Sequence, residues 1–237
     1  MKIIDQSWQW IVKPESALQT IETAGRTCYK SESKSGVSAE DQENFVRRLI
    51  RRGHESVIEH AFATVRFITN RGVTHELVRH RLASFSQEST RYVRYDGNME
   101  FIRPVWWDQW NQAERECWKH SMCQSEDAYR RLLKAGSRPE QAREVLPNSL
   151  KTEIVMTANL REWRHVFKLR CSLAAHPQIR ELMMDCLAGF KAEVPAVFDD
   201  IGYQQEDTQQ YRITADISEA DMKIYEHIQT AAVGNNV

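Results

Sequence analysis

The sequence predicts a mixed helix-and-strand fold of the α/β (α+β) class, on two observations. Apolar residues recur at helical spacing over long stretches, and runs with strand character are few and short. Elements in that proportion bury their apolar faces by laying helices against a small sheet.

Taken in order, residues 21–29 carry a short helical pattern, and 30–37, rich in Ser, Lys and Gly, read as a mobile loop. Ser38 with Asp41 three residues on starts a helix whose stripe is Phe45, Val46, Leu49 and Ile50, closed by Gly53. Arg47, Arg48, Arg51 and Arg52 lie near its C-terminus, where the helix dipole favours positive charge, and read as a solvated face. A polar turn, 53–60, precedes a β-rich run at 61–69. After the Asn70-Arg71-Gly72 turn, Val73, Leu77 and His80 recur at i, i+4 and i+7 and predict a helix through His80, with Glu76 and Arg79 on its other face.

Strands are expected at 92–95 and 99–102 around Asp96-Gly97-Asn98, then a long helix over 106–135 stopped by Gly136. Trp106, Trp107 and Trp110 could stack on a flat ring, but aromatic residues at this spacing read first as core or interface. Ser137 with Glu140 reads as a second capping box, for a short helix that carries Arg143 and ends at Pro147. A strand at 154–157 leads to Asn159, the expected cap of a helix over 160–169 with Glu162 at its third position. Pro177 opens a last helix with Ile179, Leu182, Met183, Cys186, Leu187 and Phe190 as its stripe.

With 32 basic residues against 33 acidic ones, the net charge of −1 exerts no global pull toward nucleic acid or membrane, so any anion site is local. No stretch approaches the roughly 18 apolar residues of a membrane span, and the N-terminal residues lack the apolar run of a signal peptide, so the expectation is a cytoplasmic protein. Five scattered cysteines without a C-x-x-C pair read as reduced, buried thiols. No glycine falls into G-x-G-x-x-G, so a bound dinucleotide would be held without a Rossmann fingerprint. His54 and His60 with Glu55 and Glu59 lack the H-E-x-x-H spacing, and no metal is expected.

The densest chemistry is the run Arg79-His80-Arg81-Leu82-Ala83-Ser84-Phe85-Ser86-Gln87-Glu88-Ser89-Thr90-Arg91-Tyr92. Each guanidinium is a fixed fork that fits phosphate or carboxylate, and each charge-assisted bond contributes roughly 1.5–3 kcal/mol. In an extended loop Gln87, Ser89 and Arg91 would project to one side and face one ligand.

Arg79-His80-Arg81, seven residues and Ser89 resembles the signature of the flavin-dependent thymidylate synthases, and His54-Glu55 with Glu59-His60 is similar to that family's H-E-x-x-x-E-H loop. The resemblance covers roughly 26–170. It implies one domain over 1–237, with the ends (about 1–15 and 203–237) peripheral, built on a small, mostly antiparallel central sheet flanked by helices. It also implies reductive methylation of dUMP to dTMP, with 5,10-methylenetetrahydrofolate as carbon donor and FAD reduced by NADPH or NADH, in a homotetramer whose sites are shared between subunits.

By the same resemblance Glu76, Arg79, Gln87, Glu88, Ser89, Arg91, Arg143 and Arg170 would bind dUMP, Glu88 through its backbone. Ser56, Glu59, Arg79, His80, Arg81, Gln87, Asn159, Arg161 and His165 would bind FAD. Arg170 and His54 would serve the chemistry, because a guanidinium beside uracil N3 stabilises the anion that makes C5 a better nucleophile. Ser89 reads as a ligand rather than a nucleophile, since no general base stands beside it in the sequence. The chain departs from the family pattern at Glu76, where several members have glutamine, at His165, where some have asparagine, and at Ala174 with His176.

From the residues alone two other readings stay open. One is a nucleic-acid module using Arg47 to Arg52 and the arginines of 79–94 with Phe85, Tyr92 and Tyr95. The other is a metal hydrolase using His54, His60, His75 and His80.

Overall fold

A computed structural model of the chain describes residues 1–31, 38–205 and 211–214. The expected loop at 30–37 falls largely outside these residues, as does the tail beyond 214.

The centre is a four-stranded, wholly antiparallel sheet in the order β2 (Ser7–Val12), β3 (Phe62–Asn70), β6 (Lys151–Asn159), β4 (Ser84–Gln87). Two small pairs stand beside it: β1 (Lys2–Ile4) runs parallel to β5 (Glu100–Ile102), and β7 (Gly202–Gln205) pairs with β8 (Tyr211–Thr214). Along β3 and β6 burial alternates strictly, so Val65, Phe67, Ile154 and Met156 face inward while their neighbours stand half-exposed. That inner face is covered by α6 (Leu160–Arg170) and α7 (Pro177–Glu193), with α1 (Ala17–Cys28) and α2 (Ala39–Arg51) joining the same apolar core. The aromatic centre is Trp163, Phe167, Phe190 and Phe198, and fully burying each such ring contributes about 1.5–3 kcal/mol. The Trp8 ring lies so close over Gly189 that a β-carbon there would stand 2.2 Å from it.

Two expected helix starts are made by the expected bonds: Ser38 accepts from Asp41 N–H at 3.1 Å, and Asn159 from Glu162 N–H at 2.8 Å. Elsewhere the chain differs. The helix expected to run through His80 is α3 (Arg71–Leu77); beyond it the chain tightens into i+3 turns, with Arg79 N–H donating to the Glu76 carbonyl at 3.4 Å and His80 N–H to the Leu77 carbonyl at 3.1 Å, and Arg170 Nη2 also donates to the Glu76 carbonyl at 3.0 Å. Residues 92–95 form no strand; the Ser89 carbonyl accepts from both Tyr92 and Val93 N–H and closes a turn.

The long helix is α4 (Gln112–Lys134), opening later than expected because Asn111 and Glu114 form a reciprocal cap, which leaves Trp106, Trp107 and Trp110 in the turns before it. The short α5 (Pro139–Ala142) is capped at Arg138, whose N–H donates to Gln141 Oε1, and not at Ser137. α8 (Pro195–Phe198) follows α7. Residues 1–15, expected at the periphery, supply β1 and the edge strand β2, with Trp8 and Trp10 packed on the core. Of the five thiols Cys171 and Cys186 are buried, whereas Cys28, Cys117 and Cys123 are exposed.

Candidate active site

The sheet register brings distant segments together. Phe62 pairs with Asn159, so the 3-10 turn Glu55–His60 that precedes β3 stands beside the start of α6, which follows β6. Ser84 pairs with Thr157 at the same end, so the Arg79-His80-Arg81 turn that precedes β4 also meets α6.

Along α6, Arg161 lies beside Glu59 (2.5 Å) and Glu55 (3.5 Å). With Asn159, Glu162, Arg164, His165, Lys168 and Leu82 these residues line a cavity of about 580 Å³. Arg164 is buried, donating to both Asp200 oxygens and to the Val197 carbonyl, and its Nε lacks a hydrogen-bond partner among the described residues. A concave site that sets Arg161, Arg164, Lys168 and His165 among Glu55, Glu59 and Glu162, with Arg164 Nε 3.6 Å from Glu55 and the apolar, 78 % exposed Leu82 at its wall, offers donors for a diphosphate and a surface for a flat ring, so these residues fit FAD.

His80 is 4 % exposed, with Nε2 hydrogen-bonded and Nδ1 turned toward a carboxylate. Arg170 Nε donates to His80 Nε2 at 3.0 Å, and His80 Nδ1 faces Glu162 Oε1 at 3.5 Å. Burial, reinforced by Arg170 and His165, lowers the His80 pKa to about 4, so the ring is neutral at neutral pH; burial raises that of Glu162. Arg170 reaches onward to Glu76, with Nη1 2.7 Å from Oε2. Glu76 lines a second cavity of about 410 Å³ with Trp106, Trp110, Trp118 and His176.

Of the other candidates, Gln87 turns inward and donates to Thr74 (2.9 Å) and Thr152 (3.3 Å). Its expected alternation with Ser89 and Arg91 breaks, because β4 ends at Gln87 and the Ser89 hydroxyl accepts from Arg91 N–H within the turn. The Glu88 carboxylate accepts from the Tyr95 hydroxyl (2.6 Å) and Lys151 (3.3 Å), and its backbone N–H donates to the Glu153 carbonyl. Arg143 comes to this loop through Thr90, 3.4 Å from its Nη1. Arg79, Arg81 and Arg91 are exposed at the surface.

His54 is exposed, with its ring 6.2 Å from that of Tyr29, and Ser56 opens onto a separate cavity with Thr23, Cys28 and His60. Neither residue lines the Arg161 cavity. Among the described residues the histidine and carboxylate groups near enough to share an ion are His80, Glu162 and His165; His54, His60 and His75 do not join them. Arg47 is engaged with Glu43 and Asp199.

Sequence reasoning missed Glu162, Leu82, Tyr95 and Lys151 as parts of the site. Glu162 reads only as a cap partner, and Leu82 only as an apolar residue in the signature, until the fold sets them at the cavity.

The family model described as thymidylate synthase complementing protein (Thy1) matches residues 11–196. The flavin-dependent thymidylate synthase of Corynebacterium glutamicum is 37 % identical over 81 % of this chain and 82 % of its own. That of Geobacter sulfurreducens is 39 % identical over 80 % and 82 %. Among solved structures, a UMP/dUMP methylase, PolB from Streptomyces cacaoi bound with 5-Br dUMP, superposes with a TM-score of 0.73 at 22 % identity, covering 84 % of this chain and 96 % of that one, and has the same fold.

Proposed function

The chain belongs to the flavin-dependent thymidylate synthases of the Thy1 family, and from that premise we propose that it methylates dUMP to dTMP with FAD, NADPH as reductant and 5,10-methylenetetrahydrofolate as carbon donor. As a member it is a flavin-dependent methyltransferase. No helix among the described residues is long and apolar enough to cross a membrane, and we place the enzyme in the cytoplasm.

One observation carries the assignment of residues. The Arg79-His80-Arg81 turn stands between the Arg161 cavity and the Arg170–Glu76 pair, touching the first through Glu162 and the second through His80 Nε2. FAD supplies the hydride that completes the new methyl group. Asn159, Arg161 and His165 hold its polar parts in the cavity, with Glu59 keeping Arg161 in place. Arg170 stands at uracil N3, where its fixed charge lowers the cost of an anion and so raises the nucleophilicity of C5. Arg79, Arg91 and Arg143 take the dUMP phosphate, with Ser89 and the 87–89 backbone orienting the nucleotide.

We propose that each complete site draws on more than one subunit of a homotetramer, a reading supported by His54 and Ser56 lying away from the Arg161 cavity within one chain. The test is a reaction of the purified protein with dUMP, FAD, NADPH and 5,10-methylenetetrahydrofolate. One dTMP formed per NADPH oxidised supports the reading, and no dTMP overturns it.

A further inference from the structure

Arg170 has five N–H groups, and three are committed: Nε to His80 Nε2 at 3.0 Å, Nη1 to Glu76 Oε2 at 2.7 Å, and Nη2 to the Glu76 carbonyl at 3.0 Å. Two remain. Because Nε is a donor only, His80 Nε2 must be bare, and the ring proton therefore sits on Nδ1, the nitrogen facing the Glu162 carboxylate at 3.5 Å. Glu162 is itself buried and lines the Arg161 cavity, so a change at that wall is felt by the guanidinium through one ring.

Resting on the reading of Arg170 as the arginine at uracil, we propose that Glu162 and His80 are positioning residues: Glu162 keeps the Nδ1–H edge of the His80 ring turned to itself, and His80 thereby holds Arg170 with its two remaining N–H groups turned to the pyrimidine. His80 then acts through Arg170 rather than as a direct ligand of the flavin. Without Glu162 the buried Nδ1–H loses the acceptor it faces, and the ring is free to turn, which would draw Nε2 off Arg170 Nε and swing the guanidinium away. His80 also stays uncharged at working pH, so it remains an acceptor and adds no second cation beside Arg170.

The test is a double-mutant cycle on the FAD-loaded enzyme with Glu162→Ala, His80→Gln and the pair, reading kcat per bound flavin and the KM for dUMP. Misplacing a reacting group by about an ångström costs up to 100-fold, so Glu162→Ala should lower kcat per flavin about 10–100-fold. Glu162→Gln, whose amide oxygen still accepts from Nδ1–H, should return to within about threefold of the parent. In His80→Gln the amide oxygen meets Arg170 without a ring edge to hold, so adding Glu162→Ala should change kcat by less than about twofold. Additive losses in the cycle, or an unchanged kcat per flavin in Glu162→Ala, overturn the inference. If Glu162→Ala does not fold, Glu162→Leu, which fills the space and has no acceptor for Nδ1–H, takes its place in the cycle with the same expected loss and the same coupling to His80→Gln. A parent enzyme that makes no dTMP refutes the functional reading itself, an outcome distinct from an active parent whose variants add.

Discussion

Arg170 and Glu76 form a two-point contact, with the carboxylate accepting at 2.7 Å and the backbone carbonyl of the same residue at 3.0 Å. One arginine thus caps the end of α3 and presents itself at the candidate uracil site. The consequence is that chemistry and local fold share a residue, and a substitution there must be judged on both.

Arg170→Lys keeps the charge but offers a compact ammonium that cannot span His80, the Glu76 carboxylate and the Glu76 carbonyl together. We expect kcat to fall about 100-fold with FAD content unchanged, because the misplaced cation still sits outside the Arg161 cavity. Steady-state rates normalised to bound flavin check this.

Arg91→Ala and Arg143→Ala each remove one cation from the candidate phosphate site. At roughly 1.5–3 kcal/mol for a charge-assisted bond, the KM for dUMP should rise about 10–100-fold while kcat changes little. Deoxyuridine, which lacks the phosphate, should bind both variants as weakly as it binds the parent.

His80 imposes a pH dependence on stability. Its folded pKa is about 4 against roughly 6.5 in an unfolded chain, so between those values the unfolded state binds the extra proton. Stability is therefore full above about pH 6.5 and is lost as pH falls toward 4, by at most about 1.4 kcal/mol per pH unit from this group. The charged or titrating neighbours are Arg170, Glu162 and His165, all on α6. Urea midpoints at pH 7, 6 and 5 should fall more steeply in the parent than in His80→Gln.

Gly189→Ala would place a β-carbon 2.2 Å from the Trp8 ring, where α7 passes under β2. Overpacking of this kind costs about 1–3 kcal/mol even though alanine favours the helix. Chemical denaturation should show that loss, and alanine's usual gain in a helix would contradict the packing.

Much of the fold is legible in the residues because local chemistry decides it: Ser38 and Asn159 cap the helices expected of them, and the β-rich run at 61–69 and the strand at 154–157 fall on β3 and β6. The failures are places where distant groups overrule local pattern. Past Leu77 the helix tightens into i+3 turns, and Arg170, some ninety residues on, also donates to the Glu76 carbonyl there. Residues 92–95 have strand composition, yet the Ser89 carbonyl and the Glu88 carboxylate bind them into a turn. Within the signature, Gln87, Glu88 and His80 are met by Thr152, Tyr95, Lys151 and Glu162, whose nearness no spacing records.

The central claim is that flavin and dUMP bind side by side, joined through the His80 turn and Arg170. The most direct measurement is the visible absorption spectrum of the FAD-loaded protein before and after dUMP. A flavin band that shifts and saturates with dUMP, and that shifts only at much higher dUMP in Arg143→Ala, is the predicted result. A flavin spectrum untouched by saturating dUMP would contradict the claim.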